Sequence, residues 1–148
     1  MAHHYALQLS WTGNTLEEAY NRNATVTSPG KSSLAVSSAP EYAGDATRWN
    51  PEDLLGTALS TCHMLTFLAL CSKARVEVLA YEDPAEAILD TVDKVTRVTQ
   101  VLLRPVITVA RGTSPAKVVE LFEKAHKYCF VANSVTSEAV LAPRVVEA

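Results

Sequence analysis

The order of hydrophobic patterns along the 148 residues predicts an α+β fold. Three short strand-like segments come first, then one long apolar run with helix-start residues, and later strand-like stretches interrupted by a single amphipathic segment. Strands and helices therefore fall into blocks, which argues against a doubly wound parallel sheet. The expected architecture is an antiparallel sheet with a buried central helix and a second, amphipathic helix, in one domain over residues 1–148. A chain of this length buries roughly 70% of the surface its unfolded form exposes, so neither a metal nor a disulfide is needed to hold it together.

Tyr5 to Trp11 alternates well enough for a strand and runs into the turn residues Thr12, Gly13 and Asn14. Asn21 to Thr27 and Ser33 to Ser38 read as two further strands, joined through Ser28, Pro29, Gly30 and Lys31, a hairpin-type spacer. Ala39 to Arg48 is a loop leading into the central run, Trp49 to Ser72. Asn50 can cap that helix, Pro51 suits its first position, and Glu52 and Asp53 set negative charge at the positive end of the helix dipole. Apolar residues occur on nearly every face, the pattern of a buried helix. The uncharged run approaches the ~20 residues that cross a bilayer, but Gly56, Thr57, Ser60, Thr61, His63 and Thr66 dilute it, and a core helix is the better reading.

Arg75 to Tyr81 is strand-like, and Ala85 to Leu89 is ambiguous. Val95 to Val109 reads as one long strand in which Pro105 marks a bulge, an edge or a break. A second helix over Thr113 to Phe130 has Thr113 or Ser114 as cap and Pro115 in its first turn, with Val118, Leu121, Phe122, Ala125 and Cys129 on one face. Val135 to Val146 can close the sheet.

Composition narrows the function. Net charge is −3, and the seven Arg and six Lys are scattered, so no nucleic-acid footprint is expected. The N-terminus reads as lacking a secretory signal and three cysteines are unlike a secreted framework, so cytoplasm is the expected compartment.

The chemistry-bearing residues are cysteines and histidines. Cys62 and Cys71 lie nine residues apart on one helix, roughly 13 Å along its axis, and cannot bridge. Cys129 is the one other partner for either. All three also fit inert core thiols. His126 stands three residues before Cys129, and the two could be half of a zinc site with Cys62 and His63 as the other half, although neighbours on a helix point about 100° apart. His126 as a base for a nucleophilic Cys129, as in cysteine-histidine hydrolases, is a further possibility.

Two segments resemble a known family. Asn50-Pro51-Glu52-Asp53-Leu54-Leu55, followed by Ala58-Leu59-Ser60-Thr61-Cys62-His63, is similar to the central-helix motif of the OsmC/Ohr family of thiol-dependent peroxidases, with the same separation of Glu52 and Cys62. Ala125-His126 and Cys129-Phe130-Val131-Ala132-Asn133-Ser134 resemble that family's second-cysteine segment. The resemblance implies Cys62 as peroxidatic thiol, Cys129 as resolving thiol, an arginine that holds the thiolate, and a glutamate, matched by Glu52, that positions the arginine. Arg22 is the expected arginine and Arg48 its rival; Cys71 has no place in the pattern. The family further implies an intertwined homodimer with sites between subunits, organic hydroperoxides as substrates, and an external, lipoyl-type dithiol as reductant, with no cofactor.

These roles agree with thiol chemistry. At pH 7 a thiol of pKa about 8.5 is ~3% thiolate, against ~90% at pKa about 6. Cys62 lies too deep in its helix for the N-terminal dipole to help, so a cation must come from elsewhere. Glu52 precedes Cys62 by roughly 15 Å of helix rise, too far for one guanidinium to touch both on a straight helix. Either the helix start is irregular or Glu52 serves a second subunit. A binding or redox-sensing protein of the same fold, without efficient turnover, is the alternative to a peroxidase.

Overall fold

The structure of the chain is a computed structural model that describes residues 1–148. Helix α1 (Pro51–Lys73) starts where its sequence signals place it. The Asn50 side chain accepts the Asp53 N–H at 2.8 Å, and the Asp53 carboxylate accepts the Asn50 N–H at 3.1 Å. Two otherwise orphaned donors are thus satisfied reciprocally. The helix ends in a Schellman arrangement with Arg75 in the left-handed region at φ 58, where Val76 N–H reaches the Cys71 carbonyl and Arg75 N–H the Ser72 carbonyl. Arg75 therefore terminates the helix, and the strand expected from Arg75 begins only at Val78.

The chain divides into two units, Met1–Leu54 and Leu55–Ala148. In the first, β1 (Gln8–Ser10), β2 (Ala24–Thr27) and β3 (Leu34–Val36) form an antiparallel sheet in sequence order. All three fall inside the expected strands and are shorter than them by three or four residues. Trp49 then runs beside β3, its N–H donating to the Ala35 carbonyl and its carbonyl accepting the Ser37 N–H, which leads the chain into α1. Gly44 is required here, because a Cβ would collide with the backbone carbonyl of Ser38.

The second unit holds six strands: β4 (Val78–Glu82), β5 (Glu86–Val92), β6 (Val95–Leu103), β7 (Val106–Val109), β8 (Glu138–Leu141) and β9 (Arg144–Glu147). They form two three-stranded sheets, β4-β7-β9 and β5-β6-β8. Pro105 does break the long strand, and Pro143 breaks the closing strand at the matching place. Gln100 faces Glu138 and Val106 faces Arg144, so the register is unbroken as both strands pass from one sheet into the other. Two hydrogen bonds carry the ladder across the bend, Ala142 N–H to the Leu103 carbonyl and Arg144 N–H to the Pro105 carbonyl. The β6-β8 and β7-β9 pairs are parallel; the other four pairs are antiparallel. The ambiguous Ala85–Leu89 stretch belongs to β5, which pairs with β6 through a two-residue turn with Asp93 at φ 50 and Lys94 at φ 66. Such a turn normally carries Asn-Gly or Asp-Gly, so its sequence gave no hairpin signal.

Helix α2 (Pro115–Tyr128) is capped by Ser114, whose side chain accepts the Lys117 N–H. Its face of Val118, Leu121, Phe122 and Ala125 is buried as expected, and Cys129 is its C-cap in extended conformation. On α1 the buried stripe is Gly56, Leu59, His63, Phe67 and Cys71. Gly56 allows a close approach to β5, since a Cβ there would meet the Ala87 Cβ at 3.3 Å. These two faces and the inward residues Val101, Leu103, Ile107 and Val109 make one core. Full burial of Phe67 or Phe122 is worth about 2–3 kcal/mol each.

The expectation that α1 is buried all round is corrected by this packing. Ala58, Thr61, Leu65 and Ala69 follow one another on the opposite side and are exposed, with Leu65 at 58%. The helix is long and apolar enough to cross a membrane by length and composition alone, yet its buried stripe packs into the core just described.

Candidate thiol site

Two thiols meet where α1 and α2 touch. Cys62 stands half-buried in the middle of α1, and Cys129 is buried at the end of α2. The chain turns at Cys129 because Asn133 holds it. Its side-chain amide donates to the Cys129 carbonyl at 2.9 Å and to the Lys127 carbonyl at 3.0 Å, satisfying acceptors that the helix leaves open. The Cys129 sulfur accepts the Ala132 N–H at 3.5 Å. Cys62 is close enough to Cys129 to act on its thiol. Burial pushes the Cys129 thiol above its usual range, the Ala132 N–H opposes this, and Cys62 adds to the rise. No cation acts on Cys129. Both thiols are free.

An aromatic row continues from this pair. The His63 ring lies 4.4 Å from Phe122 and 6.2 Å from His126, Phe122 lies 5.7 Å from Phe67, and Phe67 lies 5.9 Å from Tyr81. Progress along α1 from Cys62 to Phe67 matches regress along α2 from Cys129 to Phe122, so the helices run in opposite directions. His63 is fully buried and neither ring nitrogen has a hydrogen-bond partner. Its pKa is pushed down to about 4, first by burial and then by the charge of His126. Cys71 lies in the core, its thiol raised to about 11 by burial.

Two readings of the histidines lose ground. No three His, Cys, Asp or Glu side chains converge in a way that could hold a metal ion. His126 stacks on His63 and is absent from the groups that act on Cys129, so the cysteine-histidine hydrolase arrangement is not formed.

The other two expected site residues belong to the first unit. Arg22 lies with its guanidinium 4.1 Å from the centre of the Tyr20 ring and donates to the Tyr20 carbonyl at 2.8 Å. It lines an open groove of about 480 Å³ with Trp11, Tyr20 and Tyr42. Arg48 is committed to the fold of that unit: it donates to the carbonyls of Ala24 at 3.0 Å and Val36 at 3.4 Å, and lies 3.9 Å from Asp45. Glu52 Oε2 is buried without a partner, and neither arginine pairs with it within the chain. The structure thus brings Cys62 and Cys129 together and leaves Glu52 unpaired. Sequence reasoning missed Trp11 and Tyr20 as walls around Arg22; their aromatic character beside that arginine was the available signal.

The family model for OsmC-like proteins matches residues 44–143. The chain belongs to the OsmC-like family. That match includes Glu52, Cys62 and Cys129, and leaves Arg22 outside. An OsmC-like protein of unknown function from Vibrio cholerae is 31% identical to this OsmC-like protein, with a TM-score of 0.87 over 96% of this chain and 99% of that one. The uncharacterized protein YmaD of Bacillus subtilis is 24% identical over 142 residues, 94% of this chain and 91% of that protein. An organic hydroperoxide resistance protein from Elizabethkingia anophelis shares the fold at 20% identity, with a TM-score of 0.69 over the whole of both chains. The α+β fold with two helices is therefore that of the family. The dimer is not part of what a single chain displays.

Proposed function

We propose that this OsmC-like protein is a thiol-dependent peroxidase that reduces organic hydroperoxides to alcohols. The observation that carries the reading is the closeness of the Cys62 and Cys129 thiols on facing helices. In the proposed cycle the Cys62 thiolate attacks the distal oxygen of the peroxide and breaks the O–O bond. An alcohol leaves and Cys62 becomes a sulfenic acid. The Cys129 sulfur then attacks Cys62 and expels the oxygen as water, forming the disulfide; an external dithiol, of lipoyl type by family resemblance, reduces it. No cofactor is needed, since the dithiol supplies the electrons. Free thiols of this kind fit a reducing compartment, which favours the cytoplasm.

Arg22 is the proposed cation for the Cys62 thiolate, its planar fork suited to peroxide oxygens and to the departing alkoxide. Arg48 is the weaker candidate because its donors already hold backbone carbonyls. Glu52 is the proposed partner of that arginine. A buried carboxylate oxygen without a partner is costly. Together with the exposed apolar stripe of α1 and the exposed Tyr5, Leu7, Leu9 and Leu16, it favours a homodimer in which a second copy completes each site.

The test is peptide mapping of reduced protein after one equivalent of cumene hydroperoxide, with hydrogen peroxide in parallel. The expected product is a Cys62–Cys129 disulfide, formed faster with the organic peroxide. Cys62→Ser abolishes consumption, and Cys129→Ser halts the cycle at a sulfenic acid on Cys62. Full turnover by Cys62→Ser, or oxidation spread evenly over Cys71, would overturn the proposal.

A further inference from the structure

Cys129 leaves α2 in extended conformation, with φ −68 and ψ 117, and the segment from Cys129 to Ser134 folds back on itself. The Cys129 carbonyl accepts twice from one residue, from the Asn133 backbone N–H at 3.1 Å and from the Asn133 side-chain amide at 2.9 Å. The same amide also donates to the Lys127 carbonyl at 3.0 Å, so both of its hydrogens are spent on the end of the helix. On the far side of the loop the Ser134 N–H donates to the Val131 carbonyl at 2.9 Å, and Ser134 Oγ donates to the Phe130 carbonyl at 2.7 Å. The chain is thereby turned over its own cysteine, and the Ala132 N–H points at Cys129 Sγ from 3.5 Å. A donor in that position binds a charged acceptor more strongly than a neutral one, so it favours thiolate over thiol. Asn133 is exposed and belongs to no part of the core, which leaves hydrogen bonding as its contribution to the loop.

We propose that Asn133 is the positioning residue of the resolving thiol: it keeps the Ala132 N–H aimed at Cys129 Sγ, where that donor stabilises the thiolate released when the Cys62–Cys129 disulfide opens. The proposal rests on the dithiol role of these cysteines and not on the identity of the oxidant. Cys62 is half-buried and Cys129 fully buried, so a thiolate of the external dithiol attacks Cys62 Sγ. A new S–S bond forms as the old one breaks, and Cys129 departs with the electron pair. Burial works against charge on Cys129, and Cys62 adds to that; the Ala132 and Val131 N–H groups act in the opposite direction. A better stabilised thiolate leaves faster. Cys129 then takes a proton from solvent. The second thiolate of the reductant attacks the first sulfur, which releases Cys62 as a thiolate and leaves the reductant as its own disulfide. Asn133 touches neither sulfur in this sequence and acts through the backbone that it holds.

The test uses full-length protein closed with diamide, which takes two electrons and two protons from the pair, and reopened with dithiothreitol. Asn133→Ala is expected to slow reopening at neutral pH by about fivefold. A second readout is the pH dependence of Cys129 alkylation by iodoacetamide, followed by peptide mapping in a Cys62→Ser background. There Asn133→Ala is expected to move the titration of Cys129 to higher pH. The sign separates positioning from loosening. A loop that merely came loose would let water reach Cys129, relieve the burial that raises its thiol, and move the titration to lower pH. Ser134→Ala removes the bond to the Phe130 carbonyl from the same loop and leaves the Asn133 bonds in place, so its rate and titration are expected to stay close to wild type. An unchanged rate or a titration moved downward in Asn133→Ala overturns the proposal, and so do equal effects from Ser134→Ala. Failure of diamide to join Cys62 to Cys129 overturns the dithiol role and the proposal with it. Wild-type protein that closes with diamide but leaves cumene hydroperoxide unconsumed refutes the peroxidase reading, while the role of Asn133 stands on its own rates.

Discussion

Acid should weaken the fold through one side chain, His63. Its folded pKa is about 4, against 6.5 for an ordinary histidine. Above pH 6.5 the ring is neutral in both folded and unfolded chains and costs nothing. As the pH falls from 6.5 toward 4, the unfolded chain takes up a proton that the buried ring refuses, so stability is lost across that window and the loss is complete below pH 4. With these two pKa values the loss is about 1.4 kcal/mol at pH 5.5 and about 2.5 kcal/mol at pH 4.5. Other groups titrate over the same range, so the quantity to measure is the difference between wild type and His63→Phe, whose ring can keep the contact with Phe122 but cannot titrate. Urea unfolding of both proteins from pH 7.5 to pH 4.5 gives that difference directly. The gap should move by about 2–3 kcal/mol in favour of the variant as the pH falls, roughly 5–10 °C in melting temperature for a chain of this size. Parallel stability curves would refute the reasoning, because they would mean that His63 finds a proton partner or solvent in the folded state.

Three further outcomes follow from particular contacts. Asp83 accepts from Ser60 Oγ at 2.6 Å and from the Arg104 N–H at 2.8 Å, tying α1 to the bend between β6 and β7, so Asp83→Ala should cost about 2–3 kcal/mol in urea unfolding. Lys94 sits at φ 66 in the β5-β6 turn, and Lys94→Gly should stabilise by about 1 kcal/mol in the same assay by relieving the left-handed strain. Arg22→Met should lower kcat/KM for cumene hydroperoxide by about 100-fold or more, whereas Arg48→Met should lower the melting temperature and leave turnover within a few-fold; the reverse pattern would assign the activating role to Arg48.

Much of the site was legible in the sequence because its signals are local. The Asn50-Pro51-Glu52-Asp53 start fixes α1, since the Asn50 and Asp53 side chains reach donors only three residues away. Ser114 and Pro115 fix α2 in the same way. Spacing alone left Cys129 as a partner for either Cys62 or Cys71, and it was the resemblance of the two cysteine segments to the family's motifs that pointed to Cys62.

Tertiary structure decided the features that depend on residues far apart in the chain. Parallel pairing of β8 with β6 and of β9 with β7 needs the α2 crossover to bring the closing strands back, and no pattern inside either strand encodes it. Pro105 and Pro143 each announce a break, but only the unbroken register shows that both strands bend together. Arg22 and Arg48 are the same residue type, and it was the carbonyls of Ala24 and Val36 that claimed one and an aromatic groove that framed the other. His63 is a polar letter in an apolar run, and its loss of every protein hydrogen-bond partner is set by Phe122 and His126 from another helix. Caps and turns act over three or four residues and are written where they act, whereas burial and partner choice are sums over neighbours that only the folded chain assembles.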